Sequence, residues 1–149
     1  MVSLIVLSSH RASVNNAIEA ISSETGGWID VIVNNAGYGL NGAFEDLAMD
    51  EIKAQYETNV FGLIRTTQAV LPIMRRQKSG IIVNISSGAG RFGFPGGSAY
   101  ASTKFAVEGL SVVLLEQTLV MAWLLRRNPK IQILHTPIWC KKWLLDLKS

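Results

Sequence analysis

Tyr100 and Lys104 lie four residues apart, and Ser87 precedes the tyrosine by thirteen residues. Residues four apart share one face of a helix, so a helix here brings the phenol and the ammonium side by side. A neighbouring cation favours the ionised form of a phenol. A serine hydroxyl can hold a carbonyl oxygen while a phenol donates a proton to it. These three residue types therefore predict a site that interconverts a carbonyl and an alcohol.

Ser87 follows the run Ile-Ile-Val-Asn-Ile-Ser at residues 81–86. Such a β-branched run is typical of a buried strand. Open α/β sheets bind their ligands outside the carboxyl ends of the strands. We therefore expect the hydroxyl of Ser87 at the ligand-binding edge of a sheet.

Short β-branched segments alternate with longer helical patterns along the chain. This alternation is the pattern of βαβ units and predicts an α/β fold with a parallel sheet. The strands are expected at residues 3–7, 29–33, 81–86 and 131–134. The helices are expected from an N-cap at Ser13 to about residue 26, from an N-cap at Asp50 to Gln77, and from about Ser98. Pro72 should kink the second helix.

Two segments, residues 37–42 and 88–93, match the glycine pattern G-x-G-x-x-G of dinucleotide-binding turns. In a true dinucleotide site these glycines open a helix directly, so that its first amides meet the pyrophosphate. After Gly42 the chain continues to Met49 before its next helix, and Pro95 follows the second match. Neither segment is therefore assigned to a pyrophosphate.

The size and composition of the chain limit which other partners and binding sites can be predicted. The 149 residues are 48% hydrophobic, enough for one domain with its own core. Residues 126–149 contain six basic residues and one acidic residue. Because the basic residues form no helical stripe, neither a nucleic-acid nor a membrane partner is predicted. The single cysteine, Cys140, excludes an internal disulfide and fits a cytoplasmic location. The two histidines have no nearby carboxylate or cysteine partners, so no metal site is predicted.

Two further segments accompany the serine, the tyrosine and the lysine. The sequence Asn-Asn-Ala-Gly at residues 34–37 closes the predicted second strand, and Asn59 lies within the long helix. Over residues 28–110 this ordered set resembles the short-chain dehydrogenase/reductase family. The resemblance implies an NAD(P)-dependent oxidoreductase that acts on a small carbonyl or alcohol substrate.

The resemblance also implies a role for each matching residue. Tyr100 would be the general acid/base, Lys104 would tune it and bind the nicotinamide ribose, and Ser87 would anchor the substrate oxygen. Ser87 is favoured over Ser86 by the family's spacing to the tyrosine. Asn59 would hold a water of the proton relay, and a loop would brace the sheet and touch the cofactor through Asn35, Ala36 and Gly37.

The resemblance implies a partial Rossmann-like, doubly wound parallel sheet of three or four strands, in a single incomplete domain spanning residues 1–149. Family members begin with a strand and a glycine-rich turn that bind the adenosine and pyrophosphate, and nothing before Ser3 matches them. We therefore expect weak or absent binding of NAD or NADP. We expect the strand at 3–7 to take the vacant central position. Beyond Ser111 the pattern departs from the family, so residues 112–149 are interpreted as a divergent tail.

A second interpretation remains open from the sequence. The chain could be a catalytically inactive member that acts as an oligomerisation or interaction module. In the family, the helices that match residues 50–77 and 100–115 pack against a second subunit, and both are apolar here. A homo- or hetero-oligomer through these helices is therefore expected.

Overall fold

The computed structural model describes residues 11–124 and 130–136. Their strands form a parallel sheet in the order β1-β2-β3, with β1 at Val31–Asn34, β2 at Ser79–Ile85 and β3 at Lys130–Thr136. The α/β prediction with three parallel strands is thereby confirmed. The predicted strand at residues 3–7, its central position and residues 137–149 lie outside the described residues.

The helices follow the predicted order with different bounds. They are α1 (Arg11–Thr25), α2 (Met49–Tyr56), α3 (Gly62–Gln77) and α4 (Ser98–Leu124). The single helix expected over 50–77 is interrupted by a π-helical turn at Glu57–Phe61. Pro72 lies inside α3, C-terminal to this π-helical turn, so the proline is not the cause of the interruption.

The two predicted N-caps are wrong in position. Ser13 lies inside α1, and Asp50 lies in the first turn of α2, whose N-cap is Ala48. The backbone N–H of Ala48 donates to the Glu51 carboxylate, at 3.2 Å from Oε2. Carboxylates in a first turn complement the positive end of the helix dipole, so the acidic residues support this helix start without providing its N-cap.

The core lies between the sheet and α3. It contains Ile29 from the segment before β1, Ile82 from β2, and three residues of α3, namely Val70, Ile73 and Met74. Ile82, Val70 and Met74 are fully buried. The opposite face of β1 is more open, because Val31 and Val33 are 52% and 55% exposed. The described helices therefore pack on one face of the first two strands.

A chain of buried amides and hydroxyls links the strands to the helices. The Asn34 Nδ2 donates to the Asn84 Oδ1 at 2.8 Å and to the Thr67 hydroxyl at 3.2 Å. The Asn84 Nδ2 in turn donates to the hydroxyl of Ser111 on α4 at 2.9 Å. Since Asn34 and Asn84 are also register partners in the sheet, this chain ties the carboxyl ends of β1 and β2 to α3 and α4.

Part of the predicted tail belongs to the regular structure. Helix α4 runs on past Val112 to Leu124, and β3 pairs with β2 along its whole length. Among the described residues, no helix is both long and apolar enough to cross a membrane. Within the same residues, histidine, cysteine and carboxylate side chains form no group that could hold a metal ion.

Candidate active site

Tyr100 and Lys104 lie on the first turns of α4, as their spacing predicts. The Lys104 Nζ lies 5.8 Å from the centroid of the Tyr100 ring, within the range of a cation–π contact. The ammonium donates to the backbone carbonyl oxygen of Ile85, the last residue of β2, at 2.9 Å. Because the side chain is buried, with 5% exposure, desolvation lowers the pKa of Lys104 from its ordinary value of 10.5.

Ser87 follows β2 with an extended backbone, at the carboxyl edge of the sheet. Its hydroxyl accepts a hydrogen bond from the backbone N–H of Ala89 at 3.2 Å and so begins the short turn at Gly88–Gly90. Ser86 is 1% exposed, whereas Ser87 is half-buried. Of the two serines, only Ser87 is therefore accessible to a ligand.

Gly90 holds this turn against α4. A Cβ built on Gly90 would lie 2.8 Å from the Ser86 Oγ and 3.0 Å from the carbonyl oxygen of Lys104. A side chain at this position would push the turn away from the helix. The absence of a Cβ therefore lets the segment that begins at Ser87 pack directly on the backbone that carries Lys104.

The loop after β1 approaches the same two residues from the other side. A Cβ on Gly37 would lie 3.6 Å from the Lys104 Nζ and 3.1 Å from the Asn59 Oδ1. A Cβ on Gly39 would lie 3.8 Å from the ring of Tyr100. The loop backbone thus lines the tyrosine and the lysine, and the preceding Asn35 and Ala36 are exposed beside it.

Asn59 connects this loop to the helices. The residue is 2% exposed and lies in the π-helical turn. Its Nδ2 donates to the Tyr38 carbonyl oxygen at 2.9 Å and to the Thr103 hydroxyl at 3.1 Å, while its Oδ1 accepts from the Tyr38 N–H at 3.0 Å. One amide therefore joins the loop after β1 to α4. π-turns of this kind occur frequently at functional sites.

The structure brings Gly37, Asn59, Tyr100 and Lys104 into one cluster and places Asn35 and Ala36 at its exposed side. Ser87 is connected to this cluster by backbone packing, because the turn that it begins packs on α4 beside Lys104. A further backbone bond, from the N–H of Gly42 to the carbonyl oxygen of Gly96 at 2.9 Å, joins the loops that follow β1 and β2. Both loops border the space next to Tyr100.

Sequence reasoning missed two members of the cluster, Gln55 and Thr103. Both are fully buried, and both bond to groups that position the site. The Thr103 hydroxyl donates to the carbonyl oxygen of Tyr100 at 2.7 Å and accepts from Asn59. The sequence offered one signal for each residue. Gln55 is a polar residue four positions before Asn59, and Thr103 is a polar residue directly before Lys104.

The cluster can hold a polar ligand at the carboxyl edge of the sheet. The bond from Lys104 to Ile85 uses one of the three N–H donors of an ammonium. The Gly37 backbone leaves open the volume that a Cβ would fill beside that ammonium. The remaining donors of such an ammonium can bind the hydroxyl groups of a ligand.

Known proteins resemble the chain over most of its length. A family model described as short chain dehydrogenase matches residues 3–120, which includes every residue of the cluster and extends beyond Ser111. The oxidoreductase BOA17 of Botryotinia fuckeliana is 49% identical over 105 residues, which are 69% of this chain and 38% of that protein.

Solved structures resemble the fold as well. A short-chain dehydrogenase from Streptomyces avermitilis superposes with a TM-score of 0.78 at 35% identity, over 91% of this chain and 47% of that one. The NADP-bound structure of ElxO gives a TM-score of 0.71 at 34% identity, over 74% and 44% of the two chains. The chain therefore spans less than half the length of these proteins.

Proposed function

Because the chain belongs to the short-chain dehydrogenase family, we propose that it interconverts a carbonyl and an alcohol with NAD or NADP. The observation that carries this proposal is the buried ammonium of Lys104, 5.8 Å from the ring of Tyr100 at the carboxyl edge of the sheet. A phenol beside a cation is suited to proton transfer. The NADP bound to ElxO supports a nicotinamide cofactor.

Each residue of the cluster has a proposed part in carbonyl reduction. A nicotinamide cofactor held by Lys104 and the loop at residues 35–37 would supply hydride chemistry at the carbonyl carbon. The Ser87 hydroxyl donates a hydrogen bond to the carbonyl oxygen, and the Tyr100 hydroxyl donates the proton that completes the alcohol. The Lys104 ammonium stabilises the phenolate that remains, and Asn59 holds the relay that returns a proton to it. In alcohol oxidation the same transfers run in reverse.

Cofactor binding by this chain is proposed to be weak. The exposed residues Asn35, Ala36 and Gly37 and the Lys104 ammonium serve the nicotinamide end of a dinucleotide. Neither of the two G-x-G-x-x-G segments directly opens an α-helix in the described residues. Positioning of reactants can supply about 7–11 kcal/mol of barrier lowering. A loosely held nicotinamide therefore predicts slow turnover.

A non-catalytic module is the second candidate, and exposed side chains on the helices favour it. Phe61, Phe105 and Val112 are 47%, 49% and 45% exposed. They lie within the helical segments 50–77 and 100–115 that were predicted to pack against another subunit. Large apolar side chains exposed on helices are available for contact with another subunit. Under this proposal the chain assembles with a second copy in the cytoplasm.

A direct titration tests the proposed function. The 149-residue protein is titrated with NADH and NADPH by nicotinamide fluorescence, and turnover is then measured on small aldehydes and ketones. We expect saturable binding, slow turnover, and a loss of turnover of about 100-fold or more in Tyr100→Phe. The matched control is Tyr56→Phe, which removes a hydroxyl from α2 and leaves turnover unchanged.

Either of two results would contradict the proposed enzymatic function. One is turnover in Tyr100→Phe equal to that in Tyr56→Phe. The other is no binding of either nucleotide together with a dimer in sedimentation, which supports the non-catalytic module.

A further inference from the structure

We infer that Gln55 is a positioning residue, which holds the Tyr38 peptide and so fixes the distance between the glycine loop (residues 37–39) and the Tyr100–Lys104 pair. This inference rests on the proposed function, because the positioned groups are the proposed catalytic ones. Gln55 itself touches neither of those two side chains through any described hydrogen bond. Its effect on the reaction would pass through Tyr38 and Asn59.

Gln55 is buried in an environment that does not suit an amide. The residue has no exposed surface, and its Nε2 donates to the Tyr38 carbonyl oxygen at 3.1 Å. Its Oε1 is buried and accepts no hydrogen bond from the described residues. A buried acceptor without a partner is costly, so an apolar side chain would pack here more favourably. The amide is explained by the hydrogen bond that it donates.

Gln55 and Asn59 bond to the same carbonyl oxygen. The Asn59 Nδ2 lies 2.9 Å from the Tyr38 oxygen, and the Asn59 Oδ1 accepts from the Tyr38 N–H. The π-helical turn at Glu57–Phe61 begins between the two amides, which are four residues apart and therefore lie on one side of the helix. Two donors on one acceptor fix the Tyr38 peptide in position and in orientation.

The Tyr38 peptide lies in the middle of the glycine loop. A Cβ on Gly37 would meet the Lys104 ammonium and Asn59, and a Cβ on Gly39 would meet the Tyr100 ring, so the loop backbone passes close to these side chains. Neither glycine has a side chain with which to anchor itself. The hydrogen bonds at Tyr38 are therefore the means by which the helix holds the loop beside the two catalytic candidates.

The test uses two substitutions of Gln55 and one matched control. Gln55→Met keeps the length of the side chain and removes the donor. Gln55→Glu restores a donor only when its carboxyl is protonated, and burial raises the pKa of such a carboxyl. Gln68→Met makes the same change at an exposed position of α3. Circular dichroism establishes that each variant is folded.

Hydrogen exchange of the peptide that contains residues 36–40 is measured by mass spectrometry and corrected for intrinsic rates. We expect about fivefold to tenfold faster exchange in Gln55→Met, from the loss of one hydrogen bond, and no change in Gln68→Met. In Gln55→Glu, exchange should approach the wild-type rate at pH 5 and be at least as fast as in Gln55→Met at pH 8, because an ionised carboxylate repels the Tyr38 carbonyl oxygen. The cofactor dissociation constant and kcat, measured on the same variants, should worsen in parallel.

Wild-type exchange in Gln55→Met would overturn the inference, and so would faster exchange with unchanged cofactor affinity and turnover. The exchange pattern does not depend on catalysis. If the expected pattern is found while the wild-type protein neither binds nor turns over, the proposed function fails and the anchoring of the loop by Gln55 stands.

Discussion

Replacement of Asn59 by alanine should strongly destabilise the folded chain. The substitution removes three hydrogen bonds, two to the Tyr38 peptide and one to Thr103, at a site with 2% exposure. At about 1 kcal/mol for each net hydrogen bond, the free energy of unfolding should fall by about 3 kcal/mol. For a chain of this length that corresponds to a decrease of about 6–12 °C in Tm.

Urea unfolding followed by circular dichroism measures this change. Asn35→Ala is the matched control, because Asn35 is exposed on the neighbouring loop, and its free energy of unfolding should change by less than about 0.5 kcal/mol. If Asn59→Ala loses no more stability than Asn35→Ala, the amide does not join the loop to α4 as described. The explanation of how the glycine loop is held would then be wrong.

Two further predictions concern the core and the buried lysine. Ile82→Ala should lower the free energy of unfolding by about 2–5 kcal/mol, because Ile82 is fully buried. Ile81→Ala, on the less buried face of β2, should lower the free energy of unfolding by less than Ile82→Ala. Equal decreases for the two variants in urea unfolding would contradict the described packing. The lowered pKa of Lys104 means that the folded state binds fewer protons than the unfolded state between that pKa and 10.5. Wild-type stability relative to Lys104→Met should therefore rise with pH across this window, and urea midpoints that stay level or fall would refute the assignment.

The three described strands could be anticipated from the sequence because they depend on local pattern. β-branched runs end in polar or glycine-containing segments at residues 34–37 and 86–90, and the spacing of Tyr100 and Lys104 is a property of any helix. These features require no knowledge of tertiary contacts. They led to the correct fold class and placed both candidates on the same helix.

The π-helical turn and the role of Gln55 could not be anticipated in this way. The Gly62 N–H bonds to the Glu57 carbonyl oxygen, a widening that intrinsic helix propensities do not specify. It accompanies the bonds from Asn59 to Tyr38 and Thr103, which come from distant parts of the chain. The predicted N-caps failed because Asp50 and Ser13 are suitable cap residues by type but lie within helices.

The hydrogen bond between the Asn34 and Asn84 amides favours one register of β1 against β2. A slip of two residues would keep every apolar side chain on its own face, so hydrophobic patterning alone permits it. That slip would set Asn34 opposite Ile82 and leave its amide without the Asn84 oxygen. The offset between the loops that carry Gly37 and Ser87 is therefore dictated by a polar contact one residue before the first loop. Exchange of one aliphatic residue for another elsewhere in β1 and β2 should therefore leave the relative position of the two loops unchanged.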